Sequence, residues 1–259
     1  MDNIVFYFSG TGNCLKVAKT ILKELGTGEI VSMGKPGSFC LEKQYDTIGF
    51  VYPTYFWGLP KKVIEFTENL KTGSNASAYY YSVATHGGSA GNSIYQLHEL
   101  FLNKHGIKIN FGQKLRMFSN YVVMYDMVNK VKEITAKSDE DLVPIINSIK
   151  KRETNNVNKL TKVLAFLNNW FIKKVWTMDR DYSVNSNCTG CGICRDICPV
   201  KNIDIKNDRP LFNHKCEQCV ACIQYCPQTA INYKNQTQKR RRYTNPGIDY
   251  RELSERNNA

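Results

Sequence analysis

The stretch Cys188-Thr189-Gly190-Cys191-Gly192-Ile193-Cys194-Arg195-Asp196-Ile197-Cys198-Pro199 has a second copy of its pattern in Cys216-Glu217-Gln218-Cys219-Val220-Ala221-Cys222-Ile223-Gln224-Tyr225-Cys226-Pro227. Both read C-x2-C-x2-C-x3-C-P, a spacing suited to iron–sulfur ligation. Two-residue gaps curl the backbone so that three thiolates converge on adjacent corners of one cubane. The longer gap turns the fourth sulfur away, and the proline, with φ fixed and no N–H, halts the backbone there. Gly190 and Gly192 let the chain pass close to inorganic sulfide. Two plainer readings compete. Structural zinc sites favour separated C-x2-C pairs with four ligands per ion, which a doubled run of four matches poorly. A disulfide framework needs an oxidising compartment, and the opening residues MDNIVFYFSG carry no basic export signal. Eight of the ten cysteines fall within 39 positions, so they serve one local region.

From about Tyr182 to Tyr233 the chain resembles the bacterial-type ferredoxins that hold two [4Fe–4S] clusters. In that family the fourth cysteine of each run crosses to the other cluster. The resemblance therefore implies Cys188, Cys191, Cys194 and Cys226 on one cluster, and Cys216, Cys219, Cys222 and Cys198 on the other. Between the runs, Asn202–Ile205 and Leu211–Asn213 around Lys206–Pro210 give a hairpin signal. Val200, Ile203, Ala230 and Ile231 put aliphatic groups behind each proline, where they shield a cluster from water. Such desolvation, with N–H to sulfur bonds, tunes the reduction potential, which is expected to be low.

Upstream, the pattern changes from cysteine spacing to alternating strands and helices. Ile4–Phe8 is a short apolar run suited to a buried parallel strand. Ser9-Gly10-Thr11-Gly12-Asn13 follows, and then a helical stripe of Leu15, Val17, Ala18, Ile21, Leu22 and Leu25. Further strands are expected at Glu29–Met33, Thr47–Tyr52, Ser77–Ala84 and Ile107–Phe118, with helices at Pro60–Leu70 and Asn92–Lys104. That sequence of elements fits a doubly wound, five-stranded parallel sheet of order 2-1-3-4-5, with its ligand at the carboxyl ends of the first and third strands.

Three loops lie at those ends. In the first, Ser9, Thr11, Gly12 and Asn13 join a strand to a helix start, a layout that receives phosphate through backbone N–H groups, hydroxyls and the helix dipole. The loop has no lysine, so it is not a nucleoside triphosphate P-loop. The second is Pro53-Thr54-Tyr55-Phe56-Trp57-Gly58, whose aromatics offer flat apolar faces. The third is Thr85-His86-Gly87-Gly88-Ser89-Ala90-Gly91, whose glycines bring backbone N–H groups close to a ligand. Together these resemble the loops of flavodoxins, and the resemblance implies FMN: its phosphate on the first loop, its ring against the second and third. Cys14 stands where that family commonly has a hydroxyl residue, and a small buried thiol is expected there instead of a ligand. Ser119–Asp126 either approaches the flavin or simply connects.

The remaining segments are less distinctive. Asp139–Lys150 reads as a helix interrupted by Pro144. Leu160, Val163, Leu164, Leu167, Phe171 and Val175 form a stripe flanked by Lys159, Lys162, Lys173 and Lys174, with Trp170 and Trp176 near it. The stripe is read as a helix packed on the first domain in preference to a membrane-surface helix. Net charge is +12, distributed as +3 over 1–126, +5 over 127–180, zero over 181–233 and +4 over 234–259. A basic field of this kind steers acidic partners. The run Lys239-Arg240-Arg241-Arg242 invites a nucleic-acid reading, but no recognition element accompanies it, so packing across a domain junction or docking of a redox partner is expected. No stretch is long and apolar enough to span a bilayer.

The whole is similar to the fused flavodoxin–ferredoxin proteins of anaerobic bacteria and archaea (the EFR1 type). That resemblance implies a flavodoxin-like domain at 1–126, a helical linker at 127–180, a two-cluster α+β ferredoxin domain at 181–233 and a basic tail at 234–259. It implies a cytoplasmic electron carrier that passes electrons between two low-potential clusters and FMN. The expected partners are redox proteins, acidic ones such as a ferredoxin or an oxidoreductase. The alternative is an FMN-dependent reductase of a small substrate, with His86 or Tyr55 as proton donor. The absence of a G-x-G-x-x-G fingerprint disfavours direct nicotinamide oxidation.

Overall fold

Strand β1 (Asn3–Tyr7) is buried at every position, as its uninterrupted apolar sequence requires of a central parallel strand. It pairs in parallel with β2 (Gly28–Ser32) on one side and β3 (Thr47–Pro53) on the other. β4 (Tyr79–His86) and β5 (Phe111–Arg116) complete a five-stranded parallel sheet of order β2-β1-β3-β4-β5. This is the flavodoxin-like doubly wound arrangement, and its topological switch point lies between β1 and β3. The computed structural model describes residues 2–35, 37–157 and 162–258.

Alternation along the strands builds two cores. Phe6, Phe8, Phe50 and Tyr80 face helices α2 (Lys61–Asn69) and α3 (Ser93–His105), against Val63, Phe66, Ile94, Leu97 and Phe101. Val5, Tyr7, Val51, Tyr81 and Val83 face α1 (Asn13–Leu25) and α4 (Val131–Lys150). Each fully buried aromatic of this kind contributes roughly 1.5–3 kcal/mol over its exposed state.

α4 corrects one expectation. It begins at Val131 and runs without interruption through Pro144. Pro144 lies on the exposed side of the helix, where water can satisfy the carbonyl that its missing N–H frees. The opposite side carries Leu142, Ile145, Ile146 and Ile149 into the core.

The stripe that follows packs inward where its side chains are described, with Leu167 half-buried. In α5 (Lys162–Lys174) Asn168 and Phe171 are buried, as is Val175 just beyond it, while Phe166 and Trp170 face solvent. Lys159 and Leu160 lie outside the described residues, as do the Lys162, Val163 and Leu164 side chains. Among the described residues no helix is long and apolar enough to cross a membrane.

After a 3-10 turn at Val175–Asp181, β6 (Tyr182–Val184) pairs antiparallel with β9 (Ile231–Tyr233). Between them lie two short helices, α6 (Ile193–Asp196) and α7 (Ala221–Gln224), and the hairpin β7 (Ile203–Lys206)–β8 (Arg209–Phe212). The hairpin turns on Asn207 and Asp208, both at positive φ, the residue types that a type I′ turn selects.

The basic segment from Lys234 onward is folded back over the junction. Its helix α8 (Tyr250–Asn258) reaches both modules: Asn257 hydrogen-bonds Ser32 and the Ile197 carbonyl, and Ser254 bonds the Asp196 carbonyl. The cores draw on distant stretches of the chain. Ile197, Ala221, Ile248 and Leu253 join the α1 side of the sheet core, and Phe118, Val122 and Val123 join the core around the cysteines.

Candidate functional site

The carboxyl ends of the strands open into a cavity of about 390 Å³, within the range of small-molecule sites. Ser9, Thr11 and Asn13 line it from beyond β1. Pro53, Thr54, Tyr55, Phe56 and Trp57 line it from β3, and Thr85, His86, Gly87 and Gly88 from β4. Three residues named with them serve from behind. Gly12 sits at φ 93 under Asn245 and Ile248. Gly58 packs on Asn168, and Gly91 lies under the Trp57 backbone.

The first loop is arranged around its backbone. Ser9 Oγ accepts the Gly12 N–H at 3.1 Å, and Thr11 Oγ1 accepts from Asn120 at 2.6 Å. Asn13 Oδ1 is taken by Tyr243 at 2.7 Å and Asn245 at 2.8 Å. α1 therefore starts with no capping side chain and no acidic residue in its first turn, so its end carries unneutralised partial positive charge. Cys14 is buried with its thiol 3.2 Å from Thr85 Oγ1, and burial pushes that thiol up to about 12. It lines the cavity as a neutral group.

The aromatic loop is a two-residue hairpin closed by Tyr55 and Gly58 in both directions at 3.0 Å. Its tip residues, Phe56 and Trp57, stand at φ 45 and φ 60, a region costly for side chains of this bulk. α5 holds the tip: Phe171 stacks on Phe56 at 4.1 Å, and Asn168 donates to the Tyr55 carbonyl at 3.0 Å. Tyr55 turns toward the cavity, and burial, then the Cys219 thiol, pushes its hydroxyl well up. Trp57 stays 39% exposed at the mouth beside Met124 and Tyr125. Burial holds His86 below its ordinary value, against a raising contact with the Gly88 backbone.

The eight cysteines of the two runs wall two further hollows. Cys188, Cys191, Cys194 and Cys226 surround one, with Ile205 and Ile231. Cys198, Cys216, Cys219 and Cys222 surround the other, with Tyr182, Val200, Ile203 and Phe212. Backbone N–H groups of Asn202, Gln218 and Ala230 point at Cys198, Cys216 and Cys226 sulfurs at 3.2–3.3 Å. All eight thiols are free. Burial pushes Cys194 and Cys216 up to about 12, and Cys219 and Cys222 well above the ordinary thiol value. Thiolates there require bound cations. The thiols stand around open hollows, and among the described residues no group of three or more His, Cys, Asp or Glu is set to hold a single ion.

Three further stretches of the cavity wall were not assigned to it from sequence. Met117–Tyr121, Met124 and Tyr125 follow β5, and for Ser119–Asp126 the sequence offers either a flavin contact or a connector. Phe171 comes from α5, where a core stripe gave no sign of which residue faced the loop. Gln218, Cys219 and Val220 come from the second cysteine run. The Ser9–Gly10 turn touches that run so closely that a Cβ on Gly10 would lie 2.5 Å from the Cys219 carbonyl oxygen. Cys219 thus belongs to a cysteine hollow and to the large cavity at once.

Residues 183–204 match the 4Fe-4S binding domain family. No curated protein matches the chain. Among solved structures, a flavodoxin of Streptococcus pneumoniae TIGR4 is 17% identical over 56% of this chain and 99% of its own, with a TM-score of 0.38. An FMN-dependent NADH-azoreductase of Bacillus anthracis, in complex with FMN, is 11% identical over 57% and 99%, with a TM-score of 0.39. A flavoprotein of Lactobacillus acidophilus NCFM, also in complex with FMN, is 14% identical over 44% and 92%, with a TM-score of 0.34. The chain joins a flavodoxin-like α/β sheet to a 4Fe–4S-binding segment.

Proposed function

We propose that this chain is an iron–sulfur flavoprotein of the fused flavodoxin–ferredoxin kind, which passes electrons between two low-potential [4Fe–4S] clusters and FMN and on to an external redox partner. The observation that carries the proposal is the shared wall at Cys219. One residue borders both a hollow of four thiols and the cavity at the switch point of the sheet. Bound there, FMN would supply one- or two-electron chemistry and each cluster one-electron chemistry.

The chain's own residues bind and position. Ser9, Thr11 and Asn13 offer backbone N–H groups and hydroxyls at the α1 N-terminus to a phosphate, and Gly12 turns the loop from behind. Tyr55, Phe56 and Trp57 give the ring its apolar faces, and Thr85–Gly88 its polar edge. Cys188, Cys191, Cys194 and Cys226 would hold an outer cluster; Cys198, Cys216, Cys219 and Cys222 would hold an inner one. Residues 1–126 and 181–233 are the two cofactor domains, with 127–180 and 234–259 fastening them. A fixed separation replaces diffusional encounter. A cytoplasmic, anaerobic setting and an acidic redox partner follow from the cofactors and the net charge of +12.

A second reading, an FMN-dependent reductase fed through the clusters, is favoured by one observation. The cavity mouth keeps Trp57, Met124 and Tyr125 exposed, and Tyr55, whose hydroxyl stays protonated, faces inward as a proton donor.

Anaerobic purification followed by metal and flavin analysis tests the first reading, with about eight irons and one FMN per chain expected. Stepwise reduction followed by absorbance and EPR should then show flavin and clusters sharing electrons. A colourless, zinc-loaded or flavin-free protein, or cofactors that never exchange electrons, overturns it.

A further inference from the structure

Within the run Lys239-Arg240-Arg241-Arg242 the fold half-buries Arg240 and Arg242 and leaves Arg241 exposed. Arg240 Nη1 donates to the Val122 and Val123 carbonyls at 2.7 and 2.8 Å. Arg241 donates its backbone N–H to Asp126 and its Nη1 to the Met127 carbonyl. Both are staples across the junction. Arg242 is different. Its Nη2 donates to Asn232 Oδ1 at 3.0 Å and to the Ile231 carbonyl at 3.5 Å, but Nε and Nη1 are buried without an acceptor.

Among the described residues no carboxylate stands with the charged groups that act on Arg242. Burial lowers its pKa, and the two groups that oppose the shift are the thiols of Cys226 and Cys222. These two cysteines belong to different hollows, Cys226 to the outer and Cys222 to the inner. Geometry agrees: Arg242 bonds the carbonyl of Ile231, which walls the outer hollow, and the adjoining Tyr243 N–H is tied to Gln224 of α7, the helix that carries Cys222 of the inner one, so the guanidinium sits where the two runs meet. A guanidinium is not deprotonated in proteins, and burying it with two orphaned N–H groups is strongly unfavourable unless an anion faces it. A cluster held by four thiolates is a net anion, and it gains one further negative charge on reduction.

We propose that Arg242 is the shared counter-ion of the two clusters, with its Nε–H and Nη1–H turned toward cluster sulfur on both sides. This rests on the two-cluster reading above. A fixed positive charge between the cages stabilises the reduced, more negative state of each cluster and raises both reduction potentials. Near-surface Coulomb attraction over a few ångströms makes this worth about tenfold in each reduction equilibrium, or about 59 mV for one electron.

The test is a potentiometric titration followed by EPR on the full-length holoprotein, with iron counted in parallel. Arg242→Gln should lower both potentials, each reduction equilibrium falling about tenfold, while Arg242→Lys, which keeps the charge, restores most of the loss. A purely structural tie to Ile231 and Asn232 would change thermal stability and leave the potentials in place. Potentials equal to wild type at equal iron content overturn the proposal, and so does a shift of only one cluster.

Should the Gln variant lose iron, a spectroscopic measurement decides. In an Arg195→Lys background, which removes the other guanidinium acting on a cluster cysteine, arginine is labelled with nitrogen-15 on the guanidinium. Pulsed EPR of the reduced clusters should detect that nitrogen at both, and its absence overturns the proposal. A wild-type chain without any iron–sulfur signal overturns the two-cluster reading itself, a separate failure seen before any variant is made.

Discussion

The two cysteine runs share a spacing and a backbone path, yet they differ in what fills the path. In the first, the positive-φ positions are Gly190 at φ 69 and Gly192 at φ 78; in the second, the matching positions are Gln218 at φ 52 and Val220 at φ 55. Glycine enters this region without steric penalty. A glutamine and a β-branched valine there cost about 1–3 kcal/mol each. The first run opens outward, with Cys191 exposed. The second is enclosed, and Gln218, Cys219 and Val220 form one wall of the large cavity. Between these two runs, glycine takes the strained positions where the loop opens outward, and larger side chains take them where they close a wall of the large cavity.

The largest expected effect comes from removing one ligand on each side. Cys219→Ala should cost about half the iron and also loosen the flavin, since the residue borders both sites. Cys191→Ala should cost similar iron and leave flavin content untouched. Iron and flavin assays on the two proteins decide, and equal flavin retention would break the comparison.

Next in size is Gly10→Ala, whose new Cβ would lie 2.5 Å from the Cys219 carbonyl oxygen and 2.9 Å from its Cβ. Overpacking of this kind costs about 1–3 kcal/mol. It should show in denaturant unfolding together with weakened FMN binding, while the EPR of the outer cluster stays as in wild type.

The strain itself can be exchanged between the runs. Gly192→Val should destabilise by about 1–3 kcal/mol, because it places a β-branched residue at φ 78. Val220→Gly should be nearly neutral, since relief of strain offsets the lost burial of a side chain only 2% exposed. A smaller effect is expected for Asn245→Ala, which frees Asn13 Oδ1 from one of its two donors. About 1 kcal/mol of stability should be lost, with a modest rise in the FMN dissociation constant.

The smallest effect is on pH dependence. Burial lowers the His86 pKa, so the folded chain binds the neutral ring in preference. Its stabilising contribution is complete above the unfolded value of about 6.5 and is lost as pH falls below that toward the folded value. His86→Gln should flatten the acid limb of stability measured by chemical unfolding. His86 lines the cavity from β4 and borders neither cysteine hollow, so both cluster spectra should remain unchanged.

Much of this is legible in the residues alone. Uninterrupted apolar runs such as Ile4–Phe8 identify buried parallel strands, because only such strands are covered on both faces. Their alternation with helices gives the doubly wound class, the resemblance of the three loops to flavodoxins gives the order 2-1-3-4-5, and the hairpin at Asn207 and Asp208 follows from its turn chemistry. Less legible were features that depend on which surface meets which. Pro144 was read as a break because proline lacks an N–H, but only packing puts that position on the wet side of α4. For the run Arg240–Arg242 the sequence offers packing across a domain junction or docking of a redox partner, and only the fold picks out the carbonyls of Val122, Val123, Met127 and Ile231 that its groups hydrogen-bond.

The sequence alone determined the local chemistry: eight thiols at a spacing that curls the chain, a glycine-rich turn between strand and helix, and an aromatic tripeptide. Those are short-range matters of backbone geometry and residue type. Tertiary structure decided the long-range ones. It set the Cys219 loop against Gly10, stacked Phe171 under Phe56, and folded the C-terminal segment over the junction to hold Asn13. Such contacts join residues far apart in the chain, and they depend on the shapes of two finished surfaces, which no local pattern encodes.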